Sequence, residues 1–363
     1  MSMIMRRSTV HALAILPVMC AAAIAADPQP AAEAVTASLF LTATNGTNNY
    51  LAVINTGTHQ ILYVPTGGNG GASGNAGGVA VSGNIAAVVN FGSGNVTIFE
   101  RRGSTMQPIQ MIATVSQPVS VAFGSGHLAV LELTMAESFA VYGNTVSAHA
   151  DGQVALALGD KSAAQIVTFD GGVAYTEKTG SMAEVSLSTN GAPGLGGMNT
   201  VVNLPPAPNN NTPFGLVGRG ANVYVTIAHS DLEALVVNGQ IVSLASGPKP
   251  FTDASGNITH APCWNTLSGQ FLYASDSPGK QLLRYLVSDT NIFYDKAGVA
   301  TLSGAPTDLA AAGSMLAVID GGNATGTATV SNASLFDIDS EGELTLRFAV
   351  KIAGPINGAA IVE

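Results

Sequence analysis

This sequence predicts an all-β fold, a seven-bladed β-propeller whose ring is closed by the C-terminal strand in the first blade. Three observations carry the prediction. Two short apolar strands around a Gly-containing turn recur seven times, at steps of 42 to 50 residues. No stretch sustains a helical apolar period of 3.6 residues. The first repeat lacks its leading strand, and a segment with that strand's pattern stands at the other terminus. A repeat of about 45 residues built only of strands marks propeller blades, because one four-stranded unit buries its faces only against its neighbours.

In chain order, residues 1–26 have the form of a secretory signal: Arg6-Arg7, an apolar stretch from Ala12 to Ile24, and a small-residue cleavage site at Ala23-Ile24-Ala25. That apolar stretch is too short to span a bilayer as a stable helix. Residues 27–36 form a flexible Pro/Ala-rich lead-in, and 37–363 form the propeller. The second strands of the blades end at Asn45, Asn90, Glu132, Glu177, Ile227, Asp276 and Asp320. Six first strands precede them, over 78–81, 118–123, 164–169, 213–217, 262–267 and 306–311. The seventh is 355–362, paired with the strands of 37–65, so that no sheet edge is left open at the join. The run Gly67–Gly78 reads as a flexible crossing between the first two blades; it lacks the Lys-Ser/Thr of a phosphate loop.

Of the 363 residues, 47% are hydrophobic, only 10% are charged and 42 are glycine, as short strands and tight turns require. The net charge is −10, with 13 Lys plus Arg and no basic cluster past the signal. Nucleic acids and anionic membranes are therefore excluded as partners, since both need a positive face. Cys263 is the only cysteine after the signal, so stability in an oxidising compartment rests on ring closure rather than on an internal disulfide.

In a propeller, the loop entering each first strand and the loop leaving each second strand open on the same face. The strand-ending residues Asn45, Asn90, Glu132, Glu177, Asp276 and Asp320 are thus expected on one ring, joined by Gln117, Gln165, His260, Trp264, Asp308 and Asn357 from the entering loops. Asn and Asp at such positions also serve simply to bond the following turn. Glu is a poor turn former, so Glu132 and Glu177 ask more for a functional role: acid/base work, or oxygen ligation of a hard cation. No His pair has metal-ligand spacing, and no redox cofactor is indicated. Cys263 and Trp264 read first as a buried thiol and a packed indole.

At these residues the chain resembles the seven-bladed lactonase family, which includes 6-phosphogluconolactonase and the enzyme that lactonises 3-carboxymuconate. The likeness covers Pro65-Thr66-Gly67-Gly68, Val89-Asn90 with Gly94 to Phe99, Thr176-Glu177-Lys178, Thr212-Pro213-Phe214-Gly215, Pro262-Cys263-Trp264, Phe271-Leu272-Tyr273, Pro306-Thr307-Asp308 and Ile356-Asn357-Gly358. It implies a catalytic role for Glu177. The family's Pro-Arg-His-like element is replaced by Ala163-Ala164-Gln165-Ile166, and Gln117-Pro118-Val119 stands where a further histidine is expected. With the signal pointing to export and the lack of an exposed basic or long apolar segment to a monomer, the expected reading is a lactonase-like propeller acting on a small lactone or related ring compound, with Glu177, Glu132, Gln165 and His260 as catalytic or orienting groups. Asn45, Asn90, Trp264, Asp276, Asp308, Asp320 and Asn357 are the expected substrate contacts. The alternative is a non-catalytic ligand-binding or protein-interaction propeller that has lost the family's Arg and His. A divalent metal at the carboxylate ring is a lesser alternative.

Overall fold

The second strand of each blade is sandwiched between two others and between two neighbouring blades, so its side chains are buried on both faces. Ile85–Asn90, Gly172–Glu177, Asn222–Ile227, Phe271–Asp276 and Met315–Asp320 are buried at every position. This is why these strands read as continuous apolar runs rather than as alternating ones. The computed structural model describes residues 37–187, 194–205, 212–249, 252–321 and 329–363. The signal and lead-in segments, 1–36, lie outside the described residues.

Seven antiparallel sheets form, each running from an inner strand outward. The inner strands of blades two to seven are Val79–Ser82, Pro118–Gly124, Ala163–Phe169, Pro213–Arg219, Pro262–Ser268 and Pro306–Ala312. Blade one takes its inner strand from the C-terminus: Asn357–Val362 pairs with Leu39–Ala43, in register at Leu39 with Val362 and Phe40 with Ile361. The expected ring closure is present. Arg101 of blade two clasps the join, its guanidinium donating to the carbonyls of Ala37 at 2.7 Å and Glu363 at 2.6 Å.

The core is a ring of seven apolar clusters, each lying between two consecutive blades. Phe40 and Ile54 of blade one pack with Ala317 and Leu335 of blade seven, for example. Tight hairpins join the first and second strands. Ser125 and Gly126 both adopt positive φ, at 50° and 76°, as a two-residue turn between twisted strands requires. Arg219 ends its inner strand and donates to the carbonyl of Gly269 at 2.7 Å.

Six inner strands carry a bulge at their entry, between Pro118 and Ser120, Ala163 and Ile166, Pro213 and Leu216, Pro262 and Asn265, Pro306 and Asp308, and Asn357 and Ala360. Each bulge frees backbone N–H groups from the ladder. Polar side chains on the preceding blade accept from some of these and from other N–H groups along the inner strands. Ser120 Oγ accepts from Ile166 N at 3.2 Å, Gln165 Oε1 from Leu216 N at 2.8 Å, Thr266 Oγ1 from Ala311 N at 3.3 Å and Asp308 Oδ2 from Ala359 N at 3.2 Å. These bonds form a belt around the central channel.

Candidate functional site

The glycine run Gly67–Gly78 links the outer strand of blade one, Ile61–Pro65, to the inner strand of blade two. It crosses between those blades as expected, and it also reaches over the mouth to the far side of the ring. Asn75 Nδ2 donates to the carbonyl of Ala163 in blade four at 2.7 Å. Lys178 Nζ donates to the carbonyl of Gly74 at 3.0 Å, and Gly77 N–H donates to Asp308 Oδ2 in blade seven at 2.8 Å. Ala76 is fully buried in the cluster that holds Ala164, Trp264 and Leu309. The segment is an ordered plug. Glycine is required where it passes closest: a Cβ on Gly70 would lie 2.4 Å from the backbone of Asn45, and one on Gly77 2.6 Å from Ser120 Oγ.

Asn45 falls two residues past its strand, which ends at Ala43, and adopts a left-handed conformation with φ 53°. Asn tolerates this, and it leaves the side chain free to grip the plug. Its Oδ1 accepts from Gly71 N at 2.7 Å and Ala72 N at 3.0 Å, while Nδ2 donates to the carbonyl of Ala72 at 2.7 Å.

The other strand-ending residues share one task, which is to hold the segment that enters their own blade. Glu177 Oε2 accepts from Leu158 N at 2.9 Å and Oε1 from Gly159 N at 2.7 Å. Asp276 Oδ1 accepts from Ala261 N at 3.0 Å. Asp320 Oδ1 accepts from Ser303 Oγ at 3.5 Å and Asn332 Nδ2 at 2.7 Å. Asn90 Oδ1 accepts from Thr66 Oγ1 at 2.7 Å. Glu132 accepts from Ser116 N. All five are fully buried or nearly so. Burial raises the Glu177 and Asp320 carboxyls above their ordinary range, against the pull of these bonds. Burial and the neighbouring Glu137 push Glu132 up to about 8. Glu137, which the sequence reading missed, is itself buried and accepts from Gln153 Nε2 at 2.5 Å.

His260 is buried with Nδ1 3.7 Å from Asp231 Oδ2, an oxygen that also lies 3.7 Å from Lys249 Nζ. Burial raises Asp231 to about 7, with Lys249 drawing it down. Gln117 is exposed, and its carbonyl accepts from Leu133 N at 3.1 Å. The predicted carboxylates are thus engaged by neighbouring backbone and side-chain groups. Among the described residues, no group of three or more His, Cys, Asp or Glu could hold a metal ion.

What the mouth does hold is a pocket of about 140 Å³ between the plug and blades one, five, six and seven. Its walls include Asn45, Asn75, Phe214, Cys263, Trp264 and Asn357. Trp264 meets Phe214 edge-on at 5.0 Å between ring centres, so the indole is packed and also forms a wall. Burial pushes the Cys263 thiol up to about 11, which keeps it protonated near neutrality. Asn45, Trp264 and Asn357 were expected here; Phe214, Cys263, Thr307 and Ile356 were not expected as contacts. Each of these four follows an entry proline, at 213, 262, 306 and 355. That shared position was the available signal.

Below the plug lies the central channel, about 270 Å³, lined by Gln165, Thr168, Asn265, Thr266 and Asp308 with Gly77 at its upper end. Asp308 Oδ1 accepts from Leu309 N at 2.8 Å, and burial raises its carboxyl to about 7.

The fold that carries this mouth is a seven-bladed β-propeller. In fold the chain is similar to the periplasmic gluconolactonase of Pseudomonas aeruginosa, at TM-score 0.67 and 13% identity over 90% of this chain and 99% of that one. It is similar too to a Bacteroides fragilis protein provisionally assigned as a 6-phosphogluconolactonase, at TM-score 0.65 and 12% identity over 93% of this chain and 100% of that one. A Lactobacillus plantarum protein gives TM-score 0.65 and 15% identity over 90% and 99%. No protein-family model matches the sequence, and no curated protein matches it.

Proposed function

We propose that this protein is an exported propeller of lactonase type that binds a small uncharged ring compound, a lactone or a close relative, without acid/base turnover. One observation carries the reading. Among its described lining residues the mouth pocket has apolar walls, amides and hydroxyls but no carboxylate, imidazole, ammonium or guanidinium. A charged ligand would meet no counter-charge there and would lose its hydration, whereas an apolar cavity of about 150 Å³ is enough for a benzene-sized ring. Asn and Ser/Thr groups on the walls can receive or offer one or two hydrogen bonds to a carbonyl or ring oxygen. Export is supported by the Arg6-Arg7 and apolar pattern of residues 1–26, and by the periplasmic designation of the Pseudomonas aeruginosa protein. No helix among the described residues is long and apolar enough to cross a membrane.

The test is calorimetry and a pH-stat assay with γ-butyrolactone on the same preparation. Saturable heat without acid release is the expected result. Acid release that disappears in Glu177→Gln would instead support general acid/base catalysis through that glutamate.

A further inference from the structure

The plug crosses the mouth between the pocket and the central channel. Five mouth residues singled out from the sequence meet it. Asn45 bonds Gly71 and Ala72, Asp308 bonds Gly77, and Trp264 shares a cluster with Ala76. A Cβ on Gly77 would come 3.6 Å from Gln165 Nε2, and one on Gly78 2.3 Å from Asn357 Nδ2. The Gly77 peptide is held like a ligand: its N–H donates to Asp308 Oδ2 at 2.8 Å, and its carbonyl accepts from Val121 N at 2.8 Å and Ser120 Oγ at 3.4 Å. An acceptor thus stands on one side and two donors on the other.

We infer that the segment Gly70–Gly77 is a movable cover, and that the mouth pocket and the channel beneath it become one chamber for a neutral hydroxylated carbonyl compound when it lifts. This rests on the ligand-binding reading above. The two spaces, about 140 Å³ and about 270 Å³, each fall short of the roughly 300–1,000 Å³ typical of ligand sites, and joined they enter that range. Asp308 Oδ2 would then take the ligand's hydroxyl proton side, with Val121 N–H and Ser120 Oγ on its carbonyl. Lifting breaks the segment's hydrogen bonds to Asn45, Lys178, Asp308, Val121 and Ser120, but it exposes only two small apolar side chains, Ala72 and Ala76, and takes no strand from a sheet. Positive φ at Gly71, Gly74 and Gly77 (108°, 64° and 66°) gives it hinge points. Local openings of this sort are common where apolar contact is sparse.

Lys178 supplies the test, since its ammonium holds the carbonyl of Gly74 from outside both cavities. Backbone hydrogen exchange of residues 70–77, read by mass spectrometry, is compared in the wild type, Lys178→Met and Lys178→Gln, with and without pantolactone, a lactone bearing a hydroxyl beside its carbonyl. Loss of one hydrogen bond should speed exchange of the segment roughly three- to tenfold. The pantolactone Kd should fall by the same factor, because the open form becomes more populated, while γ-butyrolactone, small enough for the closed pocket, should bind unchanged. Pantolactone should itself accelerate exchange of these amides. Exchange of 70–77 that tracks global unfolding in all three proteins would overturn the inference, as would a pantolactone Kd insensitive to both substitutions. Failure of γ-butyrolactone to bind would sink the pocket reading instead, and leaves the exchange measurement to decide the cover.

Discussion

Replacing Asp308 by Asn should remove a definite share of the protein's pH dependence. The carboxyl accepts three backbone N–H groups, from Gly77, Leu309 and Ala359, which favour its charged form. Burial opposes them and prevails, raising it from an ordinary 3.8 to about 7. A carboxyl raised in the folded state binds its proton more tightly there than in the unfolded chain. Its stabilisation is therefore fully present below pH 3.8 and is lost as pH rises through 7. Over the whole window the loss is roughly 4 kcal/mol, and between pH 5 and pH 8 roughly 2.5 kcal/mol. Urea unfolding of wild type and Asp308→Asn at both pH values isolates this contribution. Glu132 and Asp231, raised to about 8 and about 7, push stability the same way in both proteins and cancel in the difference. The wild type should lose ground to the variant by about 2.5 kcal/mol from pH 5 to pH 8. A difference that stays constant with pH would mean that Asp308 is ionised throughout, and that its three N–H donors outweigh its burial.

Glu177→Gln should leave the γ-butyrolactone Kd within about twofold while costing about 1–3 kcal/mol in urea unfolding, because one amide N–H would then face Leu158 N–H or Gly159 N–H. Trp264→Leu should weaken γ-butyrolactone binding about tenfold in calorimetry, through lost contact area and lost edge-on packing with Phe214. Arg101→Met should cost about 1–3 kcal/mol, since three carbonyls at the join of the ring, of Ala37, Val362 and Glu363, lose a cationic donor. Its specific sign is faster hydrogen exchange over Asn357–Val362 than over Met315–Asp320, and equal acceleration of both strands would refute the clasp.

The blades were legible because the apolar pattern repeats. Six second strands end at the residue expected, and the closing strand was visible as a leading strand displaced to the far end of the chain. The plug's course was not legible. Glycines carry no apolar period, and the information that sends Gly67–Gly78 across the mouth resides in distant acceptors and donors: Asn45, Lys178 and Asp308. The site was half legible. Position along each strand indicated which residues approach the mouth, but not which way their side chains turn. Asn45 escaped its strand through a left-handed turn that only tertiary contact with the plug rewards. Gln165 and Asp308 were drawn to the bulges, whose free N–H groups depend on register and not on composition.

The strand-ending acids show why a ring of carboxylates need not be an active site. Every blade must receive a chain arriving from the rim of the previous one, and that segment arrives with unpaired N–H groups close to the end of the second strand. A buried N–H without an acceptor costs about 1–3 kcal/mol, so an acceptor at the strand end is worth retaining in each repeat. Glu132, Glu177 and Asp276 meet this need for Ser116, Leu158 with Gly159, and Ala261. The same spacing that places these groups on one ring points them sideways into the entering chain. The mouth pocket is lined instead by what the entry prolines present, here Phe214, Cys263, Thr307 and Ile356, and the proposed binding of a neutral ring rests on that set.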